Sequence, residues 1–223
     1  MINGLHSRLH RPENGWDPVP QDHVLEYGAH EWASGADMRL LDELEQRVGG
    51  FAGKQVLDLG GGPGQYSVAF ARRGARVTWL DVSARYRDFA RHKADEAQVS
   101  IEFVLGYMDE ADRLTNRQFD LVFNRICWYY CISDAAFAEV VYRLVAPGGW
   151  AYVDTNHSGV GRENASLATR TRIWLNDRLS FKIGHPFPPR GRVASLFLRR
   201  PHEQLIADYQ PRNDRILLQK ANS

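Results

Sequence analysis

The chain has 223 residues, 43% of them hydrophobic and 25% charged, which suits one globular domain with a sizeable core and excludes collagen-like or disordered classes. No apolar run approaches the ~18 residues of a membrane span, and the N-terminal MINGLHSRLHRPENGW lacks the apolar centre of a signal peptide, so the expected compartment is the cytoplasm. The formal net charge of +1 conceals an asymmetry: residues 1–156 carry 16 Lys and Arg against 22 Asp and Glu, net −6, and residues 157–223 carry 12 against 5, net +7.

The first stretch, HRPENGWDPVPQD, is rich in proline and turn formers yet holds Trp16, which fits an ordered lid over a site better than a free tail; Tyr27 and Trp32 follow it. Ser34 with Asp37 reads as a capping box, and Met38, Leu41, Leu44 and Val48 line one face of a helix that stops at Gly49-Gly50. Strands are predicted at 54–60, 76–81, 100–105, 119–124 and 150–155, several of them apolar on both faces. Helices are predicted between them, from Gln65 to Arg73, Ala84 to Glu96 and Asp134 to Val145, with Gly or Pro-Gly-Gly at or near their ends. Strand and helix in regular alternation mean a parallel sheet wrapped by helices. Beyond lie a basic helix candidate, Glu163 to Leu179, the loop HPFPPRGR, and one clear strand, Arg215 to Lys220, so the closing strands are expected to be abbreviated. The expected organisation is an N-terminal lid and substrate segment at 1–33, a cofactor-binding core at 34–156, and a substrate-recognition insertion with closing elements at 157–223. Cys127 and Cys131 read as two reduced, partly buried thiols. His6, His10, His23 and His30 show no metal-ligand spacing, and no metal site is expected.

The segment VLDLGGGPGQYS, residues 56–67, puts a glycine-rich turn between the first strand and its helix. Such a turn lets the backbone approach a ligand and offers free N–H groups at a helix start, and Asp81 at the tip of the second strand is where an open α/β sheet holds a ribose diol. The dinucleotide pattern G-x-G-x-x-G, begun at Gly60, would require glycine at 65, where Gln65 stands. Asp58-Leu59-Gly60-Gly61-Gly62-Pro63-Gly64 instead resembles the D-x-G-x-G-x-G signature of class I S-adenosylmethionine-dependent methyltransferases, with every required position filled.

That resemblance runs from about Gly53 to Asp154 and implies a doubly wound, mostly parallel sheet of seven-stranded type flanked by helices. It implies S-adenosyl-L-methionine as cofactor, with Asp58, Gly60, Gly61, Gly62 and Gly64 forming the loop, Asp81 on the ribose and Val82 against the adenine. Gly106-Tyr107-Met108-Asp109 falls where the family has a G-D-A-like turn; Tyr107 replaces the acid, leaving Met108 and Asp109 as candidates at the adenine edge. Phe119 to Asn124 resembles the family's F-D-L-V strand, after which Asn124 and Arg125 would lie along the methionine portion. Leu144 to Gly149 resembles the L-K-P-G-G helix ending.

Methyl transfer asks mainly for alignment of the acceptor, with a base where the acceptor is protonated. Tyr129 and Tyr130 after the fourth strand and His157 after the fifth are the catalytic candidates, His157 as proton acceptor. Tyr27, Trp32, Trp128, Arg170, Arg178 and His185 are the candidates for the acceptor, the arginines (with Arg190 and Arg192) suiting a carboxylate or phosphate. The expected partner is a small-molecule methyl acceptor, methylated on oxygen or nitrogen. RNA methylation is the competing reading because of the basic last third, although no dense Lys/Arg tract is present; a non-catalytic cofactor-binding protein is a third.

Overall fold

The computed structural model describes residues 7–159 and 165–222. Its centre is a seven-stranded sheet of order β3-β2-β1-β4-β5-β7-β6. The strands are β1 (Gln55–Leu59), β2 (Arg76–Asp81), β3 (Ile101–Leu105), β4 (Phe119–Arg125), β5 (Val145–Asn156), β6 (His202–Tyr209) and β7 (Asn213–Lys220). The first five run parallel, and β7 is antiparallel to both of its neighbours. The helices are α1 (Gln21–Ser34), α2 (Met38–Val48), α3 (Gln65–Arg72), α4 (Ala84–Glu96), α5 (Ala111–Thr115), α6 (Asp134–Leu144), α7 (Leu167–Leu179) and α8 (Arg192–Phe197).

The two-residue period of the strands divides the core into two layers. Val56, Leu121, Phe123 and Tyr152 point to one face, where α2 and α3 bring Leu41, Leu44 and Phe70. Leu57, Leu59, Val122 and Val153 point to the other, where α6 and α8 bring Phe137, Val141, Leu144 and Phe197. A third cluster joins Val24 of α1 to Trp79, Tyr86 and Ala90, so the N-terminal helix is packed on the β2–α4 end of the sheet.

Three sequence expectations change. The Ser34–Asp37 capping box does not form: Ser34 ends α1, and Asp37 is itself the N-cap of α2, its Oδ1 accepting from the N–H groups of Arg39 and Leu40 at 3.0 and 3.1 Å. The closing strands are not abbreviated. β6 and β7 make a full hairpin of eight residues each. β6 is an edge strand with Glu203, Gln204, Ile206, Asp208 and Tyr209 exposed, and the polar start of β7 hides its strand character, so the apolar run alone was visible. The basic helix begins at Leu167, capped by Ser166; part of the expected start at Glu163 lies outside the described residues.

Candidate active site

The glycine turn is held from beneath and open above. The N–H groups of Gly60 and Gly61 both donate to Leu80 O of β2, at 2.7 and 3.2 Å. Gly60 has φ +80°, and a Cβ there would stand 2.4 Å from Cys127 Sγ. A Cβ on Gly61 would stand 2.2 Å from the Trp79 indole, whose Nε1 donates to Gly62 O at 3.1 Å. Nothing lies within 4 Å of the Cβ direction of Gly62. Side chains are therefore excluded at Gly60 and Gly61, where the loop meets the protein, and Gly62 faces open space.

Asp81 holds the turn at β2's tip. Its Oδ2 accepts from Gly62 N at 3.1 Å and its Oδ1 from Ser83 N at 2.9 Å. Burial raises its carboxyl above the ordinary value, against the pull of these N–H groups. Asp58, inside β1, accepts from Ser67 Oγ at 2.6 Å. Burial pushes its carboxyl up to about 7, with the Ser67 bond opposing.

The N-terminal segment is laced across this edge. Arg11 pairs with Glu110 at 3.0 Å, Tyr107 Oη donates to His10 O at 2.6 Å, and Trp16 stacks on the Tyr107 ring at 6.2 Å. Tyr107, the departure from the family pattern, thus binds the strap. Asp17 accepts from Ser83 Oγ and Arg85 N, both at 2.9 Å, at the start of α4. From α1, Trp32 Nε1 donates to Pro63 O at 2.8 Å and Glu31 accepts from Gln65 Nε2 at 2.8 Å. Asp17, Glu31 and Gln65 were missed in the sequence, because their partners are 34 to 68 residues away.

On β4, Asn124 Nδ2 donates to Leu59 O at 2.9 Å, and its Oδ1 is buried with no hydrogen-bond partner among the described residues. Arg125 lies over the Tyr66 ring at 5.2 Å and faces Asp154 at 3.7 Å. Asp109 accepts from Ile132 N at 3.0 Å, so it staples the loop after β4, and burial raises its carboxyl to about 6. Val82 is half-buried and Met108 is buried beside this edge.

The acceptor candidates separate into groups. Tyr129 and Tyr130 meet at 4.3 Å, Tyr129 takes the edge of Phe187 at 4.8 Å, and Tyr130 takes His185 at 5.1 Å. These rings form one wall, joining the β4 loop to the C-terminal insertion. Tyr27 on α1 stacks with His23 at 5.5 Å and meets Tyr86 edge-on at 6.4 Å. Burial pushes its hydroxyl up to about 12. Trp128 is corrected: it is 0% exposed, packed between Phe137 and Phe197, with Nε1 donating to Asp134 at 3.1 Å. Its side chain is core and presents no surface to a substrate. Arg170 and Arg178 are exposed along α7. Arg190 and Arg192 are tied to Tyr209 O and to Asp134 and Asp177 O.

Beneath the aromatic wall sits a group the sequence did not reveal. Lys182, 5% exposed, puts Nζ 3.0 Å from Asp134 Oδ1 and 3.2 Å from Cys131 Sγ. The nearby Asp134 and Cys131 raise the lysine's affinity for its proton, opposed by burial, which is the largest influence. A lone lysine in the apolar-flanked LSFKIG was the only signal.

His157 is buried and accepts from Gly159 N at Nδ1, at 3.2 Å. Its Nε2 is buried with no hydrogen-bond partner among the described residues.

Comparisons with known proteins agree with this geometry. Residues 56–149 match the family described as Methyltransferase domain. The sheet order, the glycine turn and Asp81 are similar to those of class I S-adenosylmethionine-dependent methyltransferase domains, a class whose cofactor is S-adenosylmethionine. More particularly, the chain is similar to a ubiquinone biosynthesis O-methyltransferase of Erwinia tasmaniensis, 36% identical over 166 residues, which are 74% of this chain and 63% of the relative. It is also similar to one of Shewanella pealeana, 35% identical over 116 residues, covering 52% and 49%. The chain thus spans between about half and less than two thirds of these curated relatives. Among solved structures, a geranyl diphosphate C-methyltransferase of Streptomyces coelicolor shares the fold with a TM-score of 0.59 and 16% identity over 82% of this chain and 79% of that one. No helix among the described residues is long and apolar enough to cross a membrane.

Proposed function

We propose that the protein transfers a methyl group from S-adenosylmethionine to an oxygen atom of a small molecule. The observation that carries this reading is the turn at Gly62, open on its outer face, braced by Asp81 below and flanked by an N-terminal strap whose Trp32 is bonded to Pro63 O. The choice of oxygen is supported by the relatives, which are named O-methyltransferases.

The residues present fit the cofactor. Each Asp81 oxygen accepts one backbone N–H and keeps a lone pair for a ribose hydroxyl. The unpartnered Asn124 Oδ1 is an acceptor suited to the methionine ammonium, and the Arg125 guanidinium, steadied by Asp154, suits its carboxylate. Val82 and Met108 would flank the adenine. When bound, S-adenosylmethionine supplies a sulfonium methyl that is already electrophilic.

The remaining work is alignment and exclusion of water. Tyr129 and Tyr130, with Phe187 and His185, give the acceptor an aromatic wall, and Tyr27 and Trp32 close the side toward α1. Burial raises the hydroxyl pKa of both Tyr27 and Tyr129, so at neutral pH these groups donate hydrogen bonds to an acceptor and do not deprotonate it. With Arg190 and Arg192 tied elsewhere, an anionic acceptor group would draw on Arg170 and Arg178.

The test is turnover with methyl-labelled S-adenosylmethionine against matched panels of phenols, aliphatic alcohols, amines and RNA. Label appearing on a phenol or alcohol oxygen is the expected result. Label appearing only on amines or on RNA contradicts the reading.

A further inference from the structure

Helix α7 turns a polar side inward and an apolar side outward, the reverse of an ordinary surface helix. The residue it buries is Asn176, whose Nδ2 donates to Phe187 O at 3.3 Å and whose Oδ1 accepts from Arg192 Nη1 at 3.4 Å. Arg192 Nη2 also donates to Asp177 O at 2.9 Å, so polar contacts fasten the inner side. Outside, Leu167, Trp174 and Leu179 are 81%, 55% and 61% exposed, and Phe181, just past the helix end, is 39% exposed. Arg170, Arg172 and Arg178 are exposed with them. At 3.6 residues per turn, Leu167, Arg170, Thr171, Trp174 and Arg178 fall on the face away from Asn176. Among the described residues none of these arginines is in an ion pair. The acid of the helix, Asp177, is half-buried, and its Oδ2 accepts from Ser158 Oγ at 3.2 Å.

A face that mixes large apolar side chains with unpaired cations narrows the choice of partner. A second copy of the chain would bring arginine toward arginine, which is repulsive. A nucleic acid would meet the arginines but gives Leu167 and Leu179 no apolar bed. An anionic lipid surface answers both features. Its acyl boundary takes up leucine and phenylalanine, and an indole is suited to the headgroup level. Arginine reaches the phosphates past its own apolar stem. The net charge of +7 on residues 157–223 has the sign such a surface attracts.

We propose that the outer face of α7, continued by Phe181, is a docking surface for an anionic lipid membrane, on which the helix lies in the plane of the headgroups. The proposal goes beyond the methyl-transfer reading and does not depend on it. Asn176, on the opposite side of the helix, is bonded to Phe187 of the aromatic wall, so docking would set that wall behind the lipid-facing helix.

The test is co-sedimentation of the full chain with vesicles of phosphatidylglycerol and phosphatidylcholine in equal parts, beside vesicles of phosphatidylcholine alone. The expected result is saturable binding to the anionic vesicles and binding about tenfold weaker or less to the neutral ones, since each arginine near an anionic surface contributes about fivefold. The double variant Leu167→Ser, Trp174→Ser should bind the anionic vesicles about tenfold more weakly, through lost apolar burial. Its urea midpoint should match the wild type, because both side chains are exposed. No binding to either vesicle, equal binding to both, or a double variant that binds like the wild type would overturn the proposal. So would binding to an RNA duplex with none to vesicles, or a dimer that the double variant abolishes with none to vesicles, since either would give the face to another partner.

Discussion

The glycine-turn edge, where the proposed cofactor would sit, and the C-terminal cap proposed to face the acceptor are fastened by different kinds of contact. At the glycine turn the ties are short and mostly to the backbone: Gly60 and Gly61 to Leu80 O, Gly62 N to Asp81, Trp79 Nε1 to Gly62 O. In the cap they are side-chain charges and rings, with Lys182 on Asp134 and Cys131, Arg192 on Asp134, and Tyr129 against Phe187. A site built from the backbone is preformed by the turn itself, whereas one built from distant side chains depends on each partner. The cap should therefore tolerate sequence change in its exposed parts, and the cofactor edge should tolerate almost none.

The largest expected effect lies in the cap. Lys182→Met removes a cation 3.0 Å from buried Asp134 and leaves the carboxylate to Arg192 and the Trp128 indole. Breaking a buried pair on one side costs about 3 kcal/mol, which urea denaturation would measure. S-adenosylmethionine affinity should stay within about twofold of wild type if the two regions are energetically separate; a parallel loss of affinity would break the comparison.

Gly61→Ala probes the other side. Its Cβ would lie 2.2 Å from the Trp79 ring, and overpacking of this kind costs about 2 kcal/mol. Here cofactor affinity should fall together with stability, because the same loop atoms serve both. A variant that lost stability but bound normally would show that the turn is not the cofactor's support.

The smallest effect is one of pH. Burial lifts the Asp58 carboxyl to about 7, so the folded state retains a proton that the unfolded chain releases above about pH 4. Stability from this group is greatest in acid and declines as pH rises toward 7. Asp109, raised to about 6, acts in the same direction. Asp58→Asn should flatten the decline between pH 5 and pH 8 by about 2 kcal/mol, read from denaturation midpoints at each pH. An unchanged slope would mean that Asp58 is ionised throughout.

The same contrast decides what could be read without coordinates. The positions of the first five strands, the glycine turn at 60–64 and Asp81 at the tip of β2 were legible because each is written locally, as glycine spacing or as an apolar run beside a stop signal. Asp37 was visible as a capping residue but assigned the wrong partner, since Ser34 belongs to the end of α1. The β6–β7 hairpin was half visible, because an edge strand keeps polar residues along its length. Trp128 was misread as a surface aromatic because its neighbours Tyr129 and Tyr130 are at the surface, while its indole turns inward to Asp134. Lys182 and Asp17 were not legible. Their importance comes from partners brought together only by the fold.

The most direct test of the account is calorimetric titration of the purified protein with S-adenosylmethionine, beside Asp81→Ala. The account predicts saturable binding by the wild type and a loss of about 100-fold in the variant, the scale of two hydrogen bonds to a charged group. No binding by the wild type, or equal binding by both proteins, would contradict it.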